Sequence, residues 1–231
     1  ELDAPDALNF IESSAALVGD NSFFGFTSPV AGWRYRFEAS PAFGTLTYQS
    51  LLADYRRYFF RRPFTLALRG FHYGRYGEDS DDRRLQPLFV GYETLVRGYS
   101  IESFEPEECT SAVGGSNDCL EFDRLVGSRI GVANLELRVP LLGPEGFALV
   151  DFPYLPTDLA LFVDGGVAWR SGDAPELEFR RRSAERIPVF STGVSTRFNL
   201  FGYLVLEVYY AYPFQRPLKG AHFGFNLAPG W

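Results

Sequence analysis

A chain of 231 residues with a formal net charge of −7 has the length of one large all-β domain and the wrong sign of charge for holding nucleic acid. Its 46% hydrophobic and 22% charged residues are ordinary, but the 23 Phe and 13 Tyr are many, and they point to β structure with rings at a boundary. A single lysine, Lys219, stands beside 21 arginines, and arginine suits buried ion pairs and lipopolysaccharide phosphates better than lysine does.

Alternation with a period of two is the main signal in chain order. Residues 8–21 are small and mixed, and a turn over 25–29 precedes a strand at 33–40. There Trp33, Tyr35, Phe37 and Ala39 face one way, and Arg34, Arg36, Glu38 and Ser40 the other. Residues 46–60 set Leu51, Ala53 and Tyr55 against Asp54 and Arg56, and 64–76 sets Phe64, Leu66 and Leu68 against Thr65, Ala67 and Arg69. The pattern then stops. Residues 77–127 are charged, Gly-rich and aperiodic apart from the apolar 85–90, and so long an insertion in a compact domain is usually functional.

Strands resume at 128–142, where Ala133, Leu135, Leu137 and Val139 oppose Asn134, Glu136 and Arg138, and at 159–170, where Leu159, Leu161 and Val163 oppose Phe162, Asp164 and Gly166. A charged loop over 171–186 separates these from strands at 188–200, 203–214 and 222–231. In the second of those three, Leu204, Leu206, Val208 and Tyr210 oppose Glu207. In the last, Phe223, Phe225 and Leu227 oppose Gly224 and Asn226. About nine strands of this kind predict a single antiparallel β domain over 1–231, the long loop included.

Three features favour a membrane barrel over a soluble sandwich. The strands reach the ~9–11 residues that cross a bilayer at a tilt. Aromatics gather near strand ends, at 58–60, Trp169 and 209–212, as interfacial girdles do. The polar face carries arginines and carboxylates that a dry core would reject. No run reaches the ~18 apolar residues of a membrane-spanning helix, which leaves a barrel open. With neither an initiator Met nor a signal-like segment at Glu1, the chain reads as a piece of a longer protein.

Cys109 and Cys119 share the long loop. In an oxidising compartment the pair reads as a local disulfide clamping it, with free thiols as the alternative; a metal site would need further Cys or His nearby. Neither His72 nor His222 accompanies a nucleophile or metal motif, so the reading is of no enzyme and no cofactor.

Two runs carry a more specific signal: Val96-Arg97-Gly98-Tyr99 in the long loop, and Phe162-Val163-Asp164-Gly165-Gly166 in a strand. Together they resemble the BamA/TamA-type bacterial surface antigen superfamily of outer-membrane barrels. In that superfamily a V-R-G-F/Y loop motif enters the lumen and meets an F-x-D-x-G strand. The strand holding Asn134-Leu135-Glu136-Leu137-Arg138 looks like the one that supplies a further lumenal carboxylate. Gly224, Phe225, Leu227 and Trp231 partly resemble the C-terminal assembly signal. The resemblance implies an all-β transmembrane barrel of about 8–10 strands in the bacterial outer membrane, its long loop extracellular and folded inward. Arg97 is then expected to pair with Asp164 and Glu136, with Gly98 permitting close approach and Tyr99 wedging against the wall. The implied function is assembly or export of other outer-membrane proteins, and the alternative is a passive pore or an anchor for a periplasmic domain. Expected partners are outer-membrane lipid and lipopolysaccharide, with client proteins or such a domain.

Overall fold

The computed structural model describes residues 8–108, 119–181 and 186–227. Three short strands, β1 (Phe10–Glu12), β2 (Ala15–Asp20) and β3 (Phe23–Phe24), all pair with β4 (Pro29–Gly44). Hairpins lead on to β5 (Tyr48–Arg61) and β6 (Phe64–Tyr76). The long loop carries β7 (Leu88–Phe89), two single 3-10 turns, one helical turn α1 (Leu120–Asp123) and β8 (Val126–Gly127), and β7 pairs with β8. The main sheet resumes with β9 (Arg129–Gly143), β10 (Val150–Asp151), β11 (Thr157–Trp169), β12 (Val189–Leu200), β13 (Leu204–Pro213) and β14 (His222–Leu227). Strands β6 and β9 are direct antiparallel neighbours, from Thr65↔Arg138 to Gly74↔Arg129, so the whole insertion is the loop of one hairpin.

The order along the sheet is β1-β4-β5-β6-β9-β11-β12-β13-β14, with β2 and β3 also on β4 and β10 beside β9. Among the described residues this sheet is not closed: β14 has only β13 as a neighbour, and β1–β3 have only β4. Each step on the path is antiparallel, so its nine positions leave the two edge strands running in the same direction. The expected single strand over 8–21 is two pieces instead, β1 and β2, because the chain leaves the ladder at 13–14, and β3 follows a second break at 21–22.

Burial is inside out. The outward side chains Leu66, Leu68, Leu135, Leu137, Leu161 and Val163 are exposed, while inward Glu136, Arg138, Asp164, Arg197 and Glu207 are buried. Each large apolar side chain left in water forgoes about 1.5–3 kcal/mol of burial, so such a surface is stable only against lipid. Strands β4, β5, β6, β9, β11 and β12 run from 12 to 16 residues, long enough to cross a bilayer. No helix among the described residues is long and apolar enough to do so.

Two rings expected at the interface are inside. Tyr58 and Tyr209 are buried and inward, while Phe59, Phe60 and Tyr210 beside them are exposed. Position near a strand end was the cue for a girdle, but parity decides the face. The sheet also curls. The turn after β3 reaches across to β11 and β12: Ser28 Oγ donates to Asp158 Oδ2 at 3.0 Å, Thr27 bonds the same carboxylate, and Asn199 bonds Phe26 O. This turn covers the end of the sheet opposite the long loop.

Candidate functional site

The loop reaches the interior by packing on inward side chains near its own end of the sheet. Phe89, Val90, Leu95, Val96, Tyr99 and Leu125 form one buried cluster with Ile130, Val132, Ala168 and Val189. A tight turn then sets the motif, Leu95 N and Val96 N both donating to Tyr92 O at 2.7 and 2.9 Å. Next comes Arg97, 2% exposed.

Three consecutive inward positions of β11 receive the motif. The ring of Phe162 lies under the guanidinium, 3.6 Å from its centroid to Arg97 Cζ. Asp164 takes the planar fork side-on: Arg97 Nε donates to Oδ2 at 2.7 Å and Nη2 to Oδ1 at 2.8 Å, and the Arg97 backbone N–H adds a third bond to Oδ2 at 3.2 Å. Gly166 leaves room for the loop, because a Cβ there would meet Val96 Cγ2 at 2.6 Å and Val90 Cγ2 at 2.7 Å. The spacing of Phe162, Asp164 and Gly166 is therefore that of ring, acid and gap along one strand face.

Arg97 also reaches two further carboxylates. Its Nη1 lies 2.7 Å from Glu136 Oε1 and 3.0 Å from Glu207 Oε1. Arg197 Nη2 bridges the same two acids, at 2.8 Å from Glu136 and 3.0 Å from Glu207. Arg138 Nε donates to Glu136 Oε2 at 2.7 Å and Nη1 to Pro29 O at 3.2 Å. Asn134 Nδ2 ties Asp164 Oδ1 to Leu95 O, at 2.9 and 2.7 Å. Three arginines thus face three carboxylates, and the buried cluster is neutral as a whole. Desolvating that many charges is tolerable only with such mutual pairing.

Glu207, Arg197 and Arg138 were not among the expected partners of Arg97. The signal for them was available, since each is a charged residue on the inward parity of a strand, but parity does not say which strands converge.

Gly98 sits at φ 88°, and a Cβ there would lie 3.2 Å from Ala211 Cβ, so the loop backbone lies against β13. The Tyr99 hydroxyl is within hydrogen-bond reach of Phe190 O (3.0 Å) and Gln215 Oε1 (2.9 Å), which anchors it to β12 and to the loop after β13. Burial pushes this phenol well above its ordinary pKa.

A second buried pair lies nearer the surface. Arg216 donates from Nε to Glu108 Oε2 at 2.9 Å and from Nη2 to Oε1 at 2.7 Å, and from Nη1 to Gly98 O at 2.7 Å. Burial raises the Glu108 pKa, but the Arg216 bonds outweigh it and hold the carboxyl below its ordinary range. Through Arg216 the β13–β14 turn grips the carbonyl of the residue after Arg97.

The remaining expected residues are dispersed. Gly224 of β14 lies under the inward Tyr209 ring, where a Cβ would meet ring atoms at 2.2 Å, while Phe225 and Leu227 point outward. Trp231 and Cys109 lie outside the described residues. Cys119 immediately precedes α1 and is not a free thiol.

An inside-out antiparallel sheet, its interior filled by a loop whose arginine is locked to strand carboxylates, defines a membrane sheet of the outer-membrane barrel class. Residues 19–230 match the Omp85 superfamily domain, and the chain belongs to that superfamily. A comparison with curated proteins finds no match.

Proposed function

We propose that this chain works in the assembly or export of other proteins at the bacterial outer membrane, the role its superfamily suggests. Its long loop is then extracellular and its C-terminal end periplasmic. The reading rests on the superfamily match over residues 19–230; among the described residues the sheet also has two unpaired edges. At one edge β14 spans six residues, and at the other the strand is split into β1, β2 and β3, almost wholly exposed. Unpaired backbone groups at such an edge template an incoming strand by β-augmentation. The neutral ion cluster meanwhile keeps the rest of the sheet and its loop rigid while the edges exchange partners.

The test is site-directed crosslinking during assembly of a radiolabelled outer-membrane client, with cysteines placed on β14 at Asn226 and on β5 at Ala53. Client adducts at β14 and none at β5 support the reading; adducts at neither, with the protein folded, refute it. The alternative of a passive pore has less support, because loop and cluster fill the interior. A membrane anchor remains the competing role, and it predicts no effect of β14 substitutions on client assembly. We also propose that Cys109 and Cys119 are joined, clamping the long loop.

A further inference from the structure

We propose that a pocket at the loop end of the sheet, apart from the Arg97 cluster, binds a phosphate group. Its volume is about 220 Å³, and it is framed by the end of β6, the turns over 80–87, the β8–β9 junction and the residue after β11. Arg75, Arg83 and Arg170 line it together with Ser80 and Ser128.

Two independent observations point to an anionic occupant. The first is Arg75 itself, only 9% exposed. Buried Arg97, Arg138, Arg197 and Arg216 each have a carboxylate within 3.0 Å, while buried Arg124 has no ion pair among the described residues. Among the described residues Arg75 has none; its guanidinium bonds one carbonyl, Gln86 O, and its side chain lines the pocket. The open side of this guanidinium lacks a counter-charge among the described residues, and an anion in the pocket supplies one. The second is the pair of hydroxyls. Ser80 and Ser128 are 1% and 4% exposed, and both Oγ atoms lack a hydrogen-bond partner. Unpartnered buried donors are rare, and beside a cavity they mark the place of a ligand oxygen.

Two acids also line the pocket, and neither cancels it. Asp82 is held by Arg84, whose Nε and Nη2 each donate at 2.9 Å, and Asp81 Oδ2 accepts the Ser171 N–H at 2.9 Å. With Asp82 neutralised, three guanidinium groups face one carboxylate. Guanidinium forks and hydroxyl donors around a small cavity suit the tetrahedral oxygens of a phosphate. The walls are tied by backbone bonds, Arg75 N to Ser128 O at 2.9 Å and Ser128 N to Trp169 O at 3.1 Å, so the site is preformed.

The phosphate has two possible sources, the headgroup of a phosphorylated lipid and a free phosphate ion. The experiment measures binding to the full chain in detergent micelles with three probes: inorganic pyrophosphate, diphosphorylated lipid A and its dephosphorylated form. The double variant Arg83→Gln/Arg170→Gln removes exposed arginines that pair with nothing else described. Arg61→Gln, at the opposite end of the sheet, is the control. Affinity for the phosphorylated probe is expected to fall about tenfold or more in the double variant and to stay unchanged in the control. Preference for phosphorylated over dephosphorylated lipid A assigns the site to a headgroup, and pyrophosphate binding alone assigns it to a free anion. No binding of either phosphorylated probe by the wild-type chain, or equal binding by the double variant, overturns the proposal. Client assembly is not the readout, so failure here is separate from failure of the assembly role.

Discussion

Replacing Arg97 by Ala is the sharpest perturbation of this protein, because it unbalances a neutral buried cluster. Three carboxylates, Asp164, Glu136 and Glu207, would remain with only Arg138 and Arg197, leaving one net negative charge in the interior. Asp164 would suffer most, since its bonds from the Arg97 side chain at 2.7 and 2.8 Å disappear and only the backbone N–H and Asn134 remain. Removing one partner of a buried pair costs about 3–5 kcal/mol, or roughly two to four orders of magnitude in the equilibrium that docks the loop. The contact with the Phe162 ring goes with it. Lys restores the charge but not the fork, so it should recover only part of the loss. The double variant Arg97→Ala/Asp164→Ala restores neutrality and should be less destabilised than the sum of its single changes. The assay is limited proteolysis within 77–128 together with the temperature at which the folded band is lost on a gel. If Arg97→Ala keeps the loop resistant and the transition unchanged, or if the double variant is simply additive, the ion cluster does not hold the loop.

Other changes separate the remaining parts of the argument. Gly98→Ala forces a Cβ into a left-handed backbone against Ala211 and should cost about 1–2 kcal/mol, read as loop protease sensitivity with the sheet intact. Glu108, held below its ordinary pKa by Arg216, contributes stability that is present above the unfolded carboxylate value and is lost as pH falls through the folded one. Acidification below about pH 4.5 should therefore loosen the loop in the wild type, and Glu108→Gln should remove that pH dependence. Arg at outward Phe225 should cost ~2–4 kcal/mol in a bilayer, and Arg at inward Asn226 less; equal tolerance on refolding into vesicles would argue that β14 does not face lipid. Mass measurement of exported protein under non-reducing alkylation should find Cys109 and Cys119 unlabelled, and labelling of both would exclude their pairing.

Alternation within each strand already assigned the faces of β6, β9, β11 and β13, because side chains on a pleated strand have a period of two whatever they pack against. The inward parity of Asp164 and Glu136 and the outward parity of Leu135, Leu161 and Phe225 needed no coordinates. The runs around Arg97 and Phe162 likewise read as partners before any distance was known. What periodicity lacks is curvature. Which inward charges meet depends on how far the sheet curls and on the aperiodic path of the loop, and only the tertiary structure brings Glu207 of β13 and Arg197 of β12 to Glu136 of β9. The Arg216–Glu108 clamp joins residues 108 positions apart with no shared pattern to announce it. Tyr58 and Tyr209 sit inside for a reason local to the fold, the space over Gly224 in the case of Tyr209. Strand pairing, too, is decided in three dimensions: a strand's own residues specify its faces, but whether its backbone finds a second neighbour depends on where the sheet's other end has been carried.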